Sequence, residues 1–186
     1  MIITAALRKR FTATAPVPAA AVLWGSIAPD VPLTIMSIVG ALYFHFIAGM
    51  TFDDALNLIF YDLFFNDPLW MAAHNFLQAP LILTASLALL WRYRFAEATP
   101  LRQWLFWFVT ACSLHSLIDI VTHNDDGPLL LFPINWQLRF ASPVSYWDTE
   151  HYGGIFFVFE SVLNLLLLGY LLAPRARRWW LARQSK

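Results

Sequence analysis

The residues best suited to chemistry sit where an apolar sequence has least reason to keep them. His115-Ser-Leu-Ile-Asp119-Ile-Val-Thr-His123 closes a long apolar run. An ionisable side chain at bilayer depth is costly, so it faces a protein interior or a watery cavity and marks a working site. On a helix, residues four apart lie about 40° apart around the axis, so His115 and Asp119 share one face. His123 follows at about 80° if the helix continues. Asn124-Asp125-Asp126-Gly127-Pro128 then supplies a helix stop. Imidazole and carboxylate at this spacing suit Zn²⁺, which takes nitrogen and oxygen ligands at about 2.0–2.2 Å. Mn or Fe accepts the same donor set. The competing reading is a buried hydrogen-bonded His–Asp network that only holds helices together.

A catalytic centre needs donors from elsewhere in the chain. His74, followed by Asn75, lies about one turn into an earlier apolar run, near its expected outer end. That is the depth expected for His115 to His123, so His74 is expected to meet His115 and Asp119. Glu160 and Asn164 repeat the four-residue spacing on the last apolar run. Glu160 is read as a general base, as a group orienting a ligand histidine, or as half of a helix-to-helix hydrogen bond. Asp126 is the other candidate base, and His123 a further ligand or proton shuttle. His45 and His151 stand alone and are read as structural or interfacial. Gly25-Ser-Ile-Ala-Pro29-Asp30-Val-Pro32 is an ordinary turn signal. Its Asp30, at a helix break beside the membrane, is placed to swing inward as a ligand.

These residues need a scaffold, and composition names its class. Of 186 residues, 59% are hydrophobic and 13% charged, against roughly 45–50% and 25% in an average soluble domain. So much apolar surface cannot hide around one soluble core, and a chain this hydrophobic cannot stay disordered. The expectation is all-α: a polytopic transmembrane bundle of four to five spans, plus a short interfacial or re-entrant helix, as one domain over residues 1–186. Leu69 to Trp91, Trp104 to Thr122 and Ile155 to Ala173 each supply the roughly 20 apolar residues a span requires. Leu33 to Met50 is shorter; if Asp30 joins donors at the outer face, this run is bent or re-entrant, which Gly40 and Gly49 allow, or Asp54 to Phe65 provides another crossing. Asp54 to Phe65 reads as interfacial or re-entrant. Ala13 to Ala28 must cross most of the membrane if Asp30 is to join donors at the outer face.

Charge sets the orientation. Eleven of the twelve basic residues fall in three clusters, at 8–10, 92–102 and 175–186, with only Arg139 elsewhere. The positive-inside rule places all three in the cytoplasm, with both termini, and leaves the acidic loops outside. Trp70, Trp91, Trp104, Trp179 and Trp180 fall at span ends, where amphipathic rings prefer to sit. The Arg-Trp tail is therefore an interfacial anchor and not a nucleic-acid patch. Arg8 to Arg10 and Ser26-Ile27-Ala28 imitate a cleavable signal, but Pro29 follows poorly after a cut, so the segment is expected to be retained. The single Cys112 rules out an intramolecular disulfide.

Together, Gly25-x3-Pro29-Asp30, His74, His115-x3-Asp119 and the stretch Gly127 to Pro133 resemble the YdjM-like family of membrane-bound metal-dependent hydrolases, typified by a LexA-regulated protein of the bacterial inner membrane. Here Pro32 stands where an acidic residue is expected, and Asn75 follows His74. The resemblance implies that Asp30, His74, His115 and Asp119 hold a divalent metal, with His123 as a further ligand, and that the chain works in an inner membrane. The activity expected is hydrolysis of a lipid or lipid-linked ester or phosphoester at the outer membrane–water boundary. The aromatic segment Pro128 to Tyr146 is expected to lie at the lipid surface as a lid. Two rival readings use the same residues: a proton or cation relay through His115, Asp119 and Glu160, and a haem module on His74 and His115.

Overall fold

The computed structural model describes residues 2–11, 17–94 and 99–184. Residues 13–16 of the Ala13 to Ala28 segment, Glu97, Lys186 and the side chains of Arg175, Arg177, Arg178, Trp179 and Trp180 lie outside that description. Every regular element among the described residues is helical. Among the described residues two helices are long and apolar enough to cross a membrane, α8 (Pro100–Thr122) and the first part of α9 (Gly153–Gln184), which marks the chain as a membrane protein.

The apolar run from Leu69 to Trp91 is not one straight span. It divides into α6 (Pro68–Asn75) and α7 (Pro80–Leu90), bent by 42°. Pro80 lacks an N–H and drives the preceding residue out of helical geometry. Ala79 is accordingly extended, at φ −61° and ψ 121°. The pair forms a third crossing only if both halves count as one broken span.

Gly40 also departs from expectation. α3 (Val31–Phe46) runs through it as one helix, and a Cβ there would stand 3.1 Å from the Trp70 ring. Glycine here permits close packing rather than bending. Ala41, Ile59 and Trp70 form the small core beneath it. At sixteen residues, α3 is about 24 Å long, short of the roughly 30 Å hydrocarbon thickness. The Asp54 to Phe65 segment is helical throughout: α4 (Phe52–Asn57), a π-helical turn (Leu58–Leu63) and α5 (Phe64–Asn66).

Two arrangements position the polar residues. First, the short helix α2 (Ala19–Gly25) lies against α8. A Cβ on Gly25 would stand 2.4 Å from the Phe108 carbonyl oxygen, so only glycine allows this approach. Gly25 lies beside Phe108 and Ala111, while Ser26 and Asp30 reach His115. The α2 segment therefore climbs alongside α8 in the same direction, and Asp30 gains the depth of His115 with only seven helical residues in α2. Second, α7 packs antiparallel to α8, with the Trp91 ring at Phe106 and Gln78 at Ser116.

α1 (Ile2–Phe11), which the basic cluster alone did not announce, packs on α9. Lys9 Nζ donates to the Tyr170 carbonyl at 2.6 Å and lies 3.9 Å from the centre of the Tyr170 ring. Residues 123–152, between α8 and α9, contain no helix. Their apolar start is not a detached lid: Leu129 and Phe132 are buried with Met71 and Ala79 in the bend between α6 and α7. Asn75 Oδ1 accepts from the Leu129 N–H at 2.6 Å, which satisfies a buried backbone donor. Ile134, Trp136, Leu138 and Phe140 face outward.

Candidate metal centre

Three donors converge where α2 meets α8. His115 Nε2 lies 3.2 Å from Asp30 Oδ1 and 3.0 Å from Asp119 Oδ2. One ligand atom from each of the three residues falls within 4.8 Å of the others. His115 and Asp119 are mostly enclosed, at 17% and 18% exposure, while the Asp30 side chain is open at 58%. The donor set therefore has a protein wall and one accessible side.

The other imidazole nitrogen defines the chemistry. His115 Nδ1 lies 3.2 Å from the Ser26 carbonyl oxygen. A carbonyl only accepts, so Nδ1 carries the hydrogen and donates it. In the neutral ring this turns the Nε2 lone pair toward two carboxylates. Three negative-leaning donors facing one another call for a cation between them, either a proton on Nε2 or a metal ion. A backbone carbonyl fixing the far nitrogen is the usual support of a metal-ligating histidine. Separations near 3 Å also match the edges of a polyhedron with bonds of about 2.0–2.2 Å. The residues present fit a divalent metal.

Asp30 is held from a third element. Gln78 Nε2 donates to Asp30 Oδ1 at 3.1 Å, and Gln78 itself is 1% exposed. Its backbone oxygen accepts from Ser116 Oγ on α8. One face of α8 thus supplies two donors, while the residue after it, through Gln78, steadies the third. Sequence reasoning missed both Gln78 and Ser26. Gln78 carried a usable signal, as a polar residue one turn beyond His74 inside an apolar run. Ser26 contributes only its carbonyl, which side-chain identity does not reveal.

The structure does not bring His74 or His123 into this trio. His74 is 7% exposed, and neither ring nitrogen has a hydrogen-bond partner. Its ring packs on Phe64 at 4.8 Å, and Asp30, Asp126, His123 and Arg139 all act on it electrostatically. An imidazole buried without partners is costly, so the ring is an unsatisfied polar group within electrostatic reach of Asp30.

His123 leaves the shared face because α8 ends at Thr122. Its backbone is extended, at φ −126° and ψ 125°, and Nδ1 pairs with Asp126 Oδ1 at 3.1 Å. Burial works against charge on His123, but hydrogen bonding and attraction from Asp126 outweigh it, so its pKa is raised. Burial likewise opposes ionisation of Asp126, and the His123 contacts overcome it, so that pKa is lowered. Asp119 and Asp30 also act on His123, which places the pair beside the trio.

Glu160 lies on α9, where Oε1 accepts weakly from Asn164 Nδ2 at 3.4 Å. It also hydrogen-bonds Tyr146, whose phenol is pushed up to about 12 by burial and by the Glu160 and Asp119 carboxylates. His45 and His151 are structural: His45 stacks on Phe52, with Nδ1 2.8 Å from the Met50 oxygen, and His151 Nδ1 pairs with Asp148 at 2.6 Å.

No protein-family model, curated protein or solved structure matches this chain.

Proposed function

We propose that this protein is a metal-dependent hydrolase of the membrane–water boundary, related to the membrane-bound metal-dependent hydrolases, acting on a lipid or lipid-linked ester or phosphoester. The observation that carries this reading is the convergence of Asp30, His115 and Asp119, with His115 anchored through Nδ1 to the Ser26 carbonyl. In this reading those three residues hold the ion, zinc by donor type, with Mn or Fe accepted by the same set. A bound divalent ion supplies Lewis acidity, lowering the pKa of water and polarising the ester oxygen.

The chain does the rest. Gln78 fixes the Asp30 carboxylate. His123, oriented by Asp126, is the residue placed to accept or return a proton through its free nitrogen Nε2. The exposed Trp136, Leu138 and Phe140 seat the neighbouring loop against lipid.

The bundle is read as four to five crossings with both termini cytoplasmic. The contact of Lys9 with Tyr170, on the half of α9 that leads to the basic tail, supports a common side for the two ends. One observation favours a second reading, a proton relay: the Tyr146 phenol hydrogen-bonds Glu160 and also feels the Asp119 carboxylate. The relay predicts proton flux in liposomes without a bound metal.

The test uses purified protein in detergent and a panel of phosphoester and carboxylester lipids. Hydrolysis should stop on chelation and return on adding a divalent metal. Turnover that survives both chelation and His115→Ala would overturn the proposal.

A further inference from the structure

Arg139 is the one basic residue outside the three flanking clusters, and it is half-buried beside the candidate metal centre. Its Nη1 donates to the Gly127 carbonyl oxygen. Its guanidinium lies over the Phe64 and Phe65 rings, 5.2 and 5.4 Å from their centres. Those contacts fix where the cation sits. Phe64 packs on the buried His74 ring at 4.8 Å. On the other side, a Cβ on Gly127 would stand 3.4 Å from His123 Cβ and 3.7 Å from the Asp119 carbonyl oxygen. The guanidinium is therefore built into the wall between His74 and the Asp119–His123 corner.

Its charge has a carbonyl and two aromatic rings beside it but no counter-ion among the described residues. Among the described residues no carboxylate lies within 4.0 Å of it. Asp125 and Asp126 act on it only at longer range. A cation drawn out of water without a counter-ion is costly, and here hydrogen bonding occupies one arm of a fork of five donors. That fork matches a phosphoryl group in shape and charge. Trp136, Leu138 and Phe140, exposed on the same segment, offer an apolar surface next to it.

We infer that Arg139 is the anion-binding residue of this site and takes the phosphoryl group of a phosphate monoester carried on an apolar chain. The inference rests on the hydrolase reading for the fate of that group, but not for its binding.

The test titrates full-length protein in detergent with dioctanoyl phosphatidic acid, with inorganic phosphate as competitor and dioctanoylglycerol as the uncharged control. Each titration is run on protein as purified and after chelation. Phosphatidic acid should bind, phosphate should displace it, and dioctanoylglycerol should not compete. Arg139→Gln should weaken binding about 10- to 100-fold, the loss of charge-assisted hydrogen bonds. Arg139→Lys, which keeps the charge and loses the fork, should fall between, with metal content unchanged in both variants.

Equal affinity in Arg139→Lys and wild type, or equal binding of dioctanoylglycerol, overturns the inference. So does binding that phosphate cannot displace. If wild-type protein holds no metal yet binds phosphatidic acid through Arg139, the hydrolase reading fails and this inference stands. If metal is present and Arg139 is irrelevant to binding, the reverse holds.

Discussion

α8 and α9 are the two long apolar helices of this protein, and each carries a polar pair four residues apart. On α8 the pair is His115 and Asp119; on α9 it is Glu160 and Asn164. Their surroundings differ. Within its most apolar stretch α8 is 28% buried, covered by α2 and α7, whereas the corresponding stretch of α9 is 0% buried. The His115–Asp119 pair consequently meets Asp30, Ser26 and, through Asp30, Gln78. The Glu160–Asn164 pair meets itself, at 3.4 Å, and the Tyr146 phenol, but no second ligand residue among the described ones. Equal spacing gives a site in one helix and a local hydrogen bond in the other. What makes the difference is what the arriving element brings: α2 brings the Asp30 carboxylate to His115, whereas the loop before α9 brings Glu160 only the Tyr146 phenol.

This contrast can be broken by substitution. The largest effect is expected on α8: Asp30→Ala, His115→Ala or Asp119→Ala should each lower metal-dependent hydrolysis by about 100-fold or more, since each removes a ligand. Gly25→Ala, five residues from Asp30, tests whether α2 delivers the third donor. The added Cβ would meet backbone at 2.4 Å, so the substitution should cost about 1–3 kcal/mol in unfolding. It should also weaken metal affinity. Unchanged affinity in a stably folded variant would separate Asp30 from the site.

The His123–Asp126 pin is smaller. His123 has a raised pKa, so its contribution is complete below about 6.5 and is lost as pH rises through the raised value. Asp126 has a lowered pKa, so its contribution is complete above about 3.8 and is lost as pH falls through the lowered value. Asp126→Asn should cost roughly 1 kcal/mol inside that window. Thermal unfolding near pH 5.5 should show the difference, and the difference should shrink as pH rises through the raised His123 value. The smallest effect belongs to α9: Glu160→Gln should change hydrolysis by less than about tenfold and leave metal content intact. A loss there as large as that of His115→Ala would put Glu160 in the centre and erase the contrast.

Covalent spacing made part of this legible in advance. His115 and Asp119 share a face because helix geometry requires it, and α8 itself follows from an apolar run that opens after Pro100 and stops before Asn124. Asp30 was identifiable as a candidate, but its contact with His115 spans 85 residues of sequence. That contact depends on the close approach at Gly25, which no local pattern announces. His123 was misjudged by one residue of helix: α8 ends at Thr122, and the extended backbone turns the imidazole to Asp126. The bend before Pro80 was written in the proline, yet the apolar count over Leu69 to Trp91 concealed it. Gly40 was read as a hinge and serves instead to let Trp70 close on α3.

The central claim is that α2 and α8 together hold one metal ion. Elemental analysis of the detergent-purified protein tests it most directly, alongside His115→Ala, Asp30→Ala and Glu160→Gln. The account predicts about one divalent ion per wild-type chain and per Glu160→Gln chain, and little or none in the other two. Full occupancy in His115→Ala and Asp30→Ala, or a wild-type protein that takes up no ion when one is supplied, would contradict it.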